Sequence, residues 1–347
     1  MTGRLTSADH PIRVDWLEPA DVPLLGTAFG GRLGMTFLPG KHAAGLAGEH
    51  RRDLAADLDR LRDVHRCDVL LVLVEDAELE RFGVAALPDA VAARGIELLR
   101  HPIPDGGIPS DAAALRRTLD AVLARLRVGA SVVVACRGGL GRTGLVVACL
   151  VRELAGPDAE RAIELTRAAR KGAVETAGQR AFITAWTWPD RHPAFDRPLA
   201  ARLADLASLA PVFESATEAD FGTWSIPPPK GDVSYLPQFA FGPVGEAFLA
   251  AVGRGGWVFP FNWGSWLKTA EGLALQGDPA AVASATPLQL ARLLTAIVRS
   301  DRFTEGSIAG AFTSGLLPAI TRRADALASE LADGTGPPVA GPPAPGA

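Results

Sequence analysis

Val132-Val133-Val134-Ala135-Cys136-Arg137-Gly138-Gly139-Leu140-Gly141-Arg142-Thr143-Gly144 is the stretch on which the fold turns. A β-branched run ends at a cysteine. Three glycines lie between that cysteine and an arginine six positions on, and a hydroxyl follows. The helix-prone segment Leu145 to Leu154 comes next. The order is strand, tight loop, helix, with sulfur at the loop's entrance and guanidinium at its exit. Such a loop turns backbone N–H groups inward at a helix N-terminus, which makes an anion site. Thiolate, guanidinium and anion site together point to nucleophilic phosphoryl transfer.

The bare Cys-x5-Arg spacing is weak, because arginine is common here. Cys67 and Cys149 lack it, being followed six residues later by Leu73 and Ala155. The glycines at 138, 139 and 141, the hydroxyl at 143 and the strand-to-helix setting give the motif its content. A nucleotide-binding loop fails at two positions, where Cys136 and Arg142 stand in place of its glycine and lysine.

Each residue type has a chemical reason. The thiolate is the attacking form, and helix N-termini and adjacent cations favour it. Cys136 has both influences, with Arg137 and Arg142 flanking it. Arg142 presents a planar fork to two phosphoryl oxygens. Glycines permit positive φ and close backbone approach, so Arg137, Gly138, Gly139, Leu140, Gly141 and Arg142 form the expected phosphate cradle. Thr143 is placed to donate to the departing Cys136 sulfur. Loop amides and Arg142 neutralise the transferring group, so neither metal nor cofactor is expected.

A thiolate nucleophile needs an acid for the leaving oxygen. In Leu99-Arg100-His101-Pro102-Ile103-Pro104-Asp105-Gly106-Gly107-Ile108-Pro109, a short apolar strand ends and Asp105 stands in a loop of prolines and glycines. Alone this is an ordinary Asp-Gly turn. Upstream of the cysteine loop it reads as the acid that becomes a base in the second half-reaction.

These motifs resemble the cysteine-dependent protein tyrosine phosphatases, most of all the kinase-associated-phosphatase-like group of their dual-specificity branch. The resemblance extends through Gly31-Arg32-Leu33-Gly34-Met35-Thr36-Phe37-Leu38-Pro39-Gly40-Lys41 and the segment Asp53 to Leu61. Downstream it includes Arg167-Ala168-Ala169-Arg170-Lys171-Gly172-Ala173-Val174-Glu175-Thr176-Ala177-Gly178-Gln179. It covers about residues 14–187. It implies a four- or five-stranded sheet flanked by helices, Cys136 as nucleophile, Arg142 as phosphate clamp, Asp105 as general acid and Gln179 as water positioner. Two positions depart from the family: Ala135 stands where a histidine is usual, and Lys171 where a proline is common.

The fold class expected is α/β: a central, mostly parallel sheet flanked by helices, followed by a mainly α C-terminal domain. The expected divisions are 1–190 for the phosphatase domain, 191–198 for a Pro-rich linker, 199–333 for a helical accessory domain and 334–347 for a disordered Gly/Pro/Ala tail. Within the first, helices are expected over His50 to Val64, Leu87 to Arg94, Ser110 (as N-cap) to Leu126, Pro157 to Arg170 and Thr176 to Thr187. Strands are expected within Gly31 to Leu38 and over Val69 to Val74, Ile96 to Ile103 and Val132 to Ala135. In the second, Leu199 to Phe213 and Pro287 to Arg299 read as amphipathic helices, and the aromatic stretch Gly255 to Trp266 as core. Leu290 to Gly315 is similar to a small uncharacterised bacterial domain, and no catalytic cluster is evident there. Arg299, Asp301, Arg302 and Glu305 could line a site but read rather as a solvated or ion-paired helix end, and a protein partner is the expected ligand of this domain.

The 347 residues suffice for two cores, with 48% hydrophobic and 21% charged residues. A net charge of −4 argues against broad nucleic-acid or membrane binding. Three cysteines make no disulfide framework and suit a reducing, cytoplasmic setting. Met1 to His10 lacks the apolar core of a signal peptide, and no apolar run approaches a membrane span. Only four of 35 basic residues are lysine, the usage of a GC-rich bacterial genome. The expected substrate is a phosphoprotein. A phosphoinositide or other small phosphate ester ranks second, and a non-catalytic phosphate-binding recruitment module stands as the reading from another class.

Overall fold

The strand leading into the cysteine loop, Ser131–Cys136, is buried at all six positions and occupies the centre of a five-stranded sheet. A strand covered on both faces has no need to alternate polar and apolar residues, which is why Val132 to Ala135 is a continuous apolar run. The structure is a computed structural model that describes residues 4–22, 24–25, 29–45, 48–155, 158–187, 197–226, 237–259 and 261–333. The chain divides into two compact units at Arg191 and His192. Most of the expected linker (191–196) and all of the expected tail (334–347) lie outside the described residues.

In chain order the strands of the first unit are β1 (Arg4–Leu5), β2 (Asp15–Trp16), β3 (Arg32–Phe37), β4 (His42–Gly45), β5 (Gly48–Arg51), β6 (Val69–Val72), β7 (Glu97–Arg100) and β8 (Ser131–Cys136). Its helices are α1 (Leu54–Asp63), α2 (Asp76–Arg81), α3 (Leu87–Ala92), α4 (Ala112–Arg127), α5 (Gly141–Ala155), α6 (Ala159–Ala169) and α7 (Ala177–Ala185). The main sheet runs β2-β3-β8-β6-β7, parallel except for the edge strand β2. Its register sets Phe37 beside Cys136 and Val72 beside Ala135. The carboxyl ends of β3, β6 and β8 therefore open at one edge, where ligands of such sheets bind. A second small sheet has the order β1-β5-β4.

Several sequence expectations are corrected. The helix expected from His50 begins at Leu54, because residues 48–51 pair as β5 with β4 and Asp53 caps the helix by accepting from Ala56 N. Helix α4 is capped by Asp111, not Ser110: its carboxylate accepts from the N–H groups of Ala113 and Ala114. The helix after the loop starts at Gly141, not Leu145, so Arg142 and Thr143 stand in its first turn. Apolar periodicity marks only the buried length of a helix, and a polar first turn is invisible to it. Strands β6 and β7 are shorter than expected, and α2 was not expected at all.

The second unit is helix-rich. Its longest helix, Leu316–Ala332, packs along Leu199–Ala207. The helix expected over Leu199 to Phe213 is broken at residues 208–209, and Ala210–Ser215 begins anew with Pro211 in its first turn. Proline cannot donate inside a continuous helix, so the chain turns there. Gly222–Ser225 and Gln238–Phe241 pair as antiparallel strands, which were not expected from the sequence. Phe213, Phe221, Phe248 and Phe312 make the aromatic core, with Phe221 stacked on Phe312 at 4.4 Å. Trp257, Phe259 and Trp266 are buried, as expected of core aromatics. Asp301 accepts from Ile308 N and Glu305 from Phe239 N, so these carboxylates serve the backbone and not an ion-paired helix end. Among the described residues no helix is long and apolar enough to cross a membrane.

Candidate active site

Cys136 closes β8 with only 3% of its surface exposed, and its sulfur accepts the N–H of Gly139 at 3.2 Å. That contact requires the loop to double back. Gly139 does so at φ +73°, with the Thr36 carbonyl 2.4 Å from where a Cβ would stand. A side chain there meets both strain and a clash. Gly141 is confined differently: a Cβ there would meet Glu175 Oε2 at 2.5 Å and Gln179 Nε2 at 2.9 Å. At Gly138 φ is not positive and a Cβ would meet no protein atom within 4 Å, so the protein itself imposes neither constraint there.

Arg142 is almost wholly buried and makes four hydrogen bonds. Nη1 donates to Glu78 Oε2 at 2.5 Å and to Ile103 O at 2.9 Å; Nη2 donates to Glu78 Oε1 at 3.0 Å and Asp105 Oδ1 at 2.9 Å. The bidentate grip of Glu78 fixes the plane of the guanidinium. Burial works against this charge, but the Glu78 hydrogen bond and the negative groups Cys136, Glu78 and Asp105 outweigh it and raise the pKa. Asp105 is half exposed and also accepts from Arg137 Nη1 at 3.3 Å. The expected acid thus stands at the cavity as a carboxylate engaged by two arginines.

One cavity of about 690 Å³ collects these groups. Cys136, Arg137, Gly138, Leu140, Gly141, Arg142 and Asp105 line it, together with Phe37, Lys41, Ala44, His50, Gly106, Arg170 and Glu175. Gly139, Thr143 and Gln179 are absent from its wall. The Thr143 hydroxyl is buried and has no hydrogen-bond partner among the described residues. Gln179 is fully buried: its Oε1 accepts from Glu175 N and Thr176 N, and its Nε2 donates to Gly107 O at 3.3 Å. It therefore ties the segment before α7 to the Asp105 loop.

Sequence inspection assigned no role to Glu78, Lys41, Arg170 or Glu175. A signal for two of them existed in topology: Lys41 follows β3 and Glu78 follows β6, just beyond carboxyl ends of parallel strands. Two cations clasp the outward carbonyls of the loop. Lys41 Nζ donates to Arg137 O at 2.9 Å, and Arg170 Nη2 to Gly138 O at 3.0 Å while its Nη1 bonds Asp15. The other thiols are not poised for chemistry, since burial pushes those of Cys67 and Cys149 up.

Comparison with known proteins identifies relatives of both halves of the chain. The family model described as cyclin-dependent kinase inhibitor 3 matches residues 4–162, and one described as a family of unknown function, DUF6508, matches residues 198–330. Cyclin-dependent kinase inhibitor 3 of Sus scrofa is 32% identical over 202 residues, which is 58% of this chain and 86% of that protein. The Homo sapiens protein of that name is 31% identical over 175 residues, 50% of this chain and 77% of its own. The crystal structure of a kinase associated phosphatase with its catalytic-site cysteine replaced by serine aligns with a TM-score of 0.44 at 29% identity, covering 50% of this chain and 92% of that one. The chain belongs to the cyclin-dependent kinase inhibitor 3 family, as a cysteine-based protein phosphatase of the tyrosine/dual-specificity class that carries a DUF6508 region of unknown function behind it.

Proposed function

We propose that the first unit hydrolyses phosphate monoesters of phosphoproteins through a phosphocysteine. The observation that carries this is the convergence of Cys136, Arg142 and Asp105 on one cavity at the carboxyl ends of the parallel strands. The Cys136 thiolate attacks phosphorus in line with the leaving oxygen. Arg142 and the loop amides hold the equatorial oxygens. As the phosphoryl group takes over Arg142 Nη2, Asp105 is released from that pair, takes a proton from solvent and passes it to the leaving oxygen; the carboxylate so formed then deprotonates the water that cleaves the phosphocysteine. Thr143 donates to the departing sulfur. Gln179, whose Nε2 lies against Gly141, exchanges its long bond to Gly107 for that water.

A phosphoinositide or other small phosphate ester is the second reading, favoured by Lys41, Arg137 and Arg170 on the same wall. Asp105 and Asp15 already pair with the two arginines, so the wall offers less positive charge than a polyanion needs. The phosphoprotein ranks first for that reason. A non-catalytic recruitment module would not need Asp105 beside the nucleophile. We assign the second unit to targeting or regulation through a protein partner, and the domains to 1–190 and 199–333, in agreement with the division at Arg191. A bacterial cytoplasm fits three free cysteines and the arginine-rich usage.

Purified protein should release phosphate from an aryl phosphate in excess chelator. Cys136→Ser should abolish turnover and still bind the ester, because the cradle outlasts the nucleophile. Strict dependence on an added divalent metal would overturn the phosphocysteine route. A substrate panel separates the first two readings.

A further inference from the structure

Lys41 follows β3 and is only 5% exposed. Its ammonium donates to Arg137 O and lies 4.7 Å from the centre of the Phe37 ring. The backbone that delivers it is clamped: Gly40 N donates to Asp57 Oδ2 at 2.9 Å, and Asp57 sits in a buried two-bond pair with Arg52 at 2.7 and 2.8 Å. Lys41 is therefore fixed from α1 on one side and from the cysteine loop on the other.

The charges around it are lopsided. Arg137 faces it from the loop, Arg52 from the end of β5, Arg170 from beyond α6 and His50 from β5. The three arginines have carboxylates of their own, Asp105, Asp57 and Asp15. Among the described residues no carboxylate pairs with Lys41, and the one group that favours its charge is Cys136. A buried ammonium is costly unless an anion faces it.

We propose that Lys41 is a positioning residue whose ammonium serves as counter-charge to the Cys136 thiolate and as the strut that holds the loop open by its outward carbonyl. This rests on Cys136 being the nucleophile. Ala135, the residue before it, offers neither charge nor donor, so the loop draws its extra cation from across the sheet, from beyond β3. The role carries a pH signature. Burial, with Arg137, Arg52 and Arg170, pushes the ammonium down to about 8 against the pull of Cys136. The counter-charge is present below that pH and lost above it.

The test uses the full chain, with Lys41→Met to remove the charge and Lys41→Arg to keep it. The first readout is alkylation of Cys136 by iodoacetamide, with Cys136→Ser as the blank. At pH 6 Lys41→Met should alkylate about tenfold more slowly than wild type, and Lys41→Arg within about threefold of it. The second readout is kcat/KM on an aryl phosphate against pH. Wild type should lose activity above about 8 and Lys41→Arg only at higher pH. Equal alkylation of Lys41→Met and wild type at pH 6 overturns the proposal, as does an alkaline fall shared by wild type and Lys41→Arg. If Lys41→Met does not fold, the Lys41→Arg comparison decides alone. Alkylation that behaves as expected in a chain that hydrolyses no phosphate ester keeps the proposal and overturns the phosphatase reading.

Discussion

The first unit buries charge around one loop, whereas the second buries rings. Lys41, Arg52, Asp57, Glu78 and Arg142 are all at most 5% exposed, and each is one or two contacts from the cysteine loop. In the second unit Arg202 is the one charged residue so buried among those described, and it donates to Gly255 O beside the Trp257 ring. Buried ion pairs seldom add net stability over apolar packing, because desolvation offsets their attraction. A unit that keeps several of them together keeps them for geometry. The second unit, filled by Phe213, Phe221, Phe248 and Phe312, shows the cheaper way to fill an interior and has no comparable cluster among its described residues.

The contrast is broken most directly at Asp105. Asp105→Asn should lower kcat by two to four orders of magnitude, roughly the span of general acid–base catalysis. The loss should shrink for aryl phosphates with good leaving groups. A uniform loss across leaving groups would reassign Asp105 to holding Arg142 and Arg137.

A paired substitution sharpens the same contrast in stability. Asp57→Ala leaves Arg52 buried without its carboxylate, at a cost of about 3–5 kcal/mol. Phe221→Ala opens a cavity in the aromatic core and costs about the same. Activity separates them. Asp57→Ala releases Gly40 and so the backbone that carries Lys41, and should lose turnover even where it remains folded. Phe221→Ala should keep aryl phosphate turnover within about twofold, since it is not among the residues that line the cavity. Calorimetry with turnover on the same samples checks both. Similar losses of turnover in the two variants would end the distinction between the units.

How much of this was legible in the sequence follows the same divide. The loop, Asp105 and the buried strands β6 and β8 announced themselves, because a glycine-rich turn after an apolar run has few other uses. Glu78 did not, since a glutamate near the start of a helix looks like a capping residue, and it is one: its carboxylate accepts from Glu75 N as well as from Arg142. Arg170 and Lys41 reach the loop from segments 32 and 96 residues away in the chain, and no local pattern marks a side chain for a distant carbonyl. Gln179 stood out only through the family resemblance; it lies off the cavity wall, and its present bonds to backbone follow from a capping box at Thr176. In the second unit Pro287 to Arg299 was plain from its apolar face. The antiparallel strand pair was not, because Gly222–Ser225 and Gln238–Phe241 are short and mostly exposed or half-buried.

A smaller effect separates the units by pH. His50 lines the cavity, and burial with Lys41 and Arg52 pushes it down to about 4. Its free value is near 6.5, so between those limits the unfolded chain binds the extra proton and stability rises with pH. The contribution of a neutral His50 is full above about 6.5 and lost as pH falls toward 4. His65 and His101 are lowered by burial in the same way. The second unit has only His192, outside the described residues. Between pH 7 and 4.5 the Tm of the first transition should therefore fall more than that of the second. His50→Gln should narrow the gap, and an unchanged gap would remove His50 from the account.

The smallest expected effect is on removal of the second unit altogether. Every residue that lines the active-site cavity belongs to the first unit, as do the ion pairs that hold it. A chain ending at Arg191 should then fold and hydrolyse an aryl phosphate within about threefold of the full chain, a change too small to involve a reacting group. The same truncation should cost efficiency on a phosphoprotein, where targeting matters. Three outcomes are informative. An insoluble or inactive truncation beside a soluble, active full chain means the first unit exposes an apolar face that the second must cover. Unchanged efficiency on every substrate removes the second unit from this reaction. A loss confined to phosphoproteins gives the ring-filled unit a function of its own, separate from the chemistry that the charged one was built to hold.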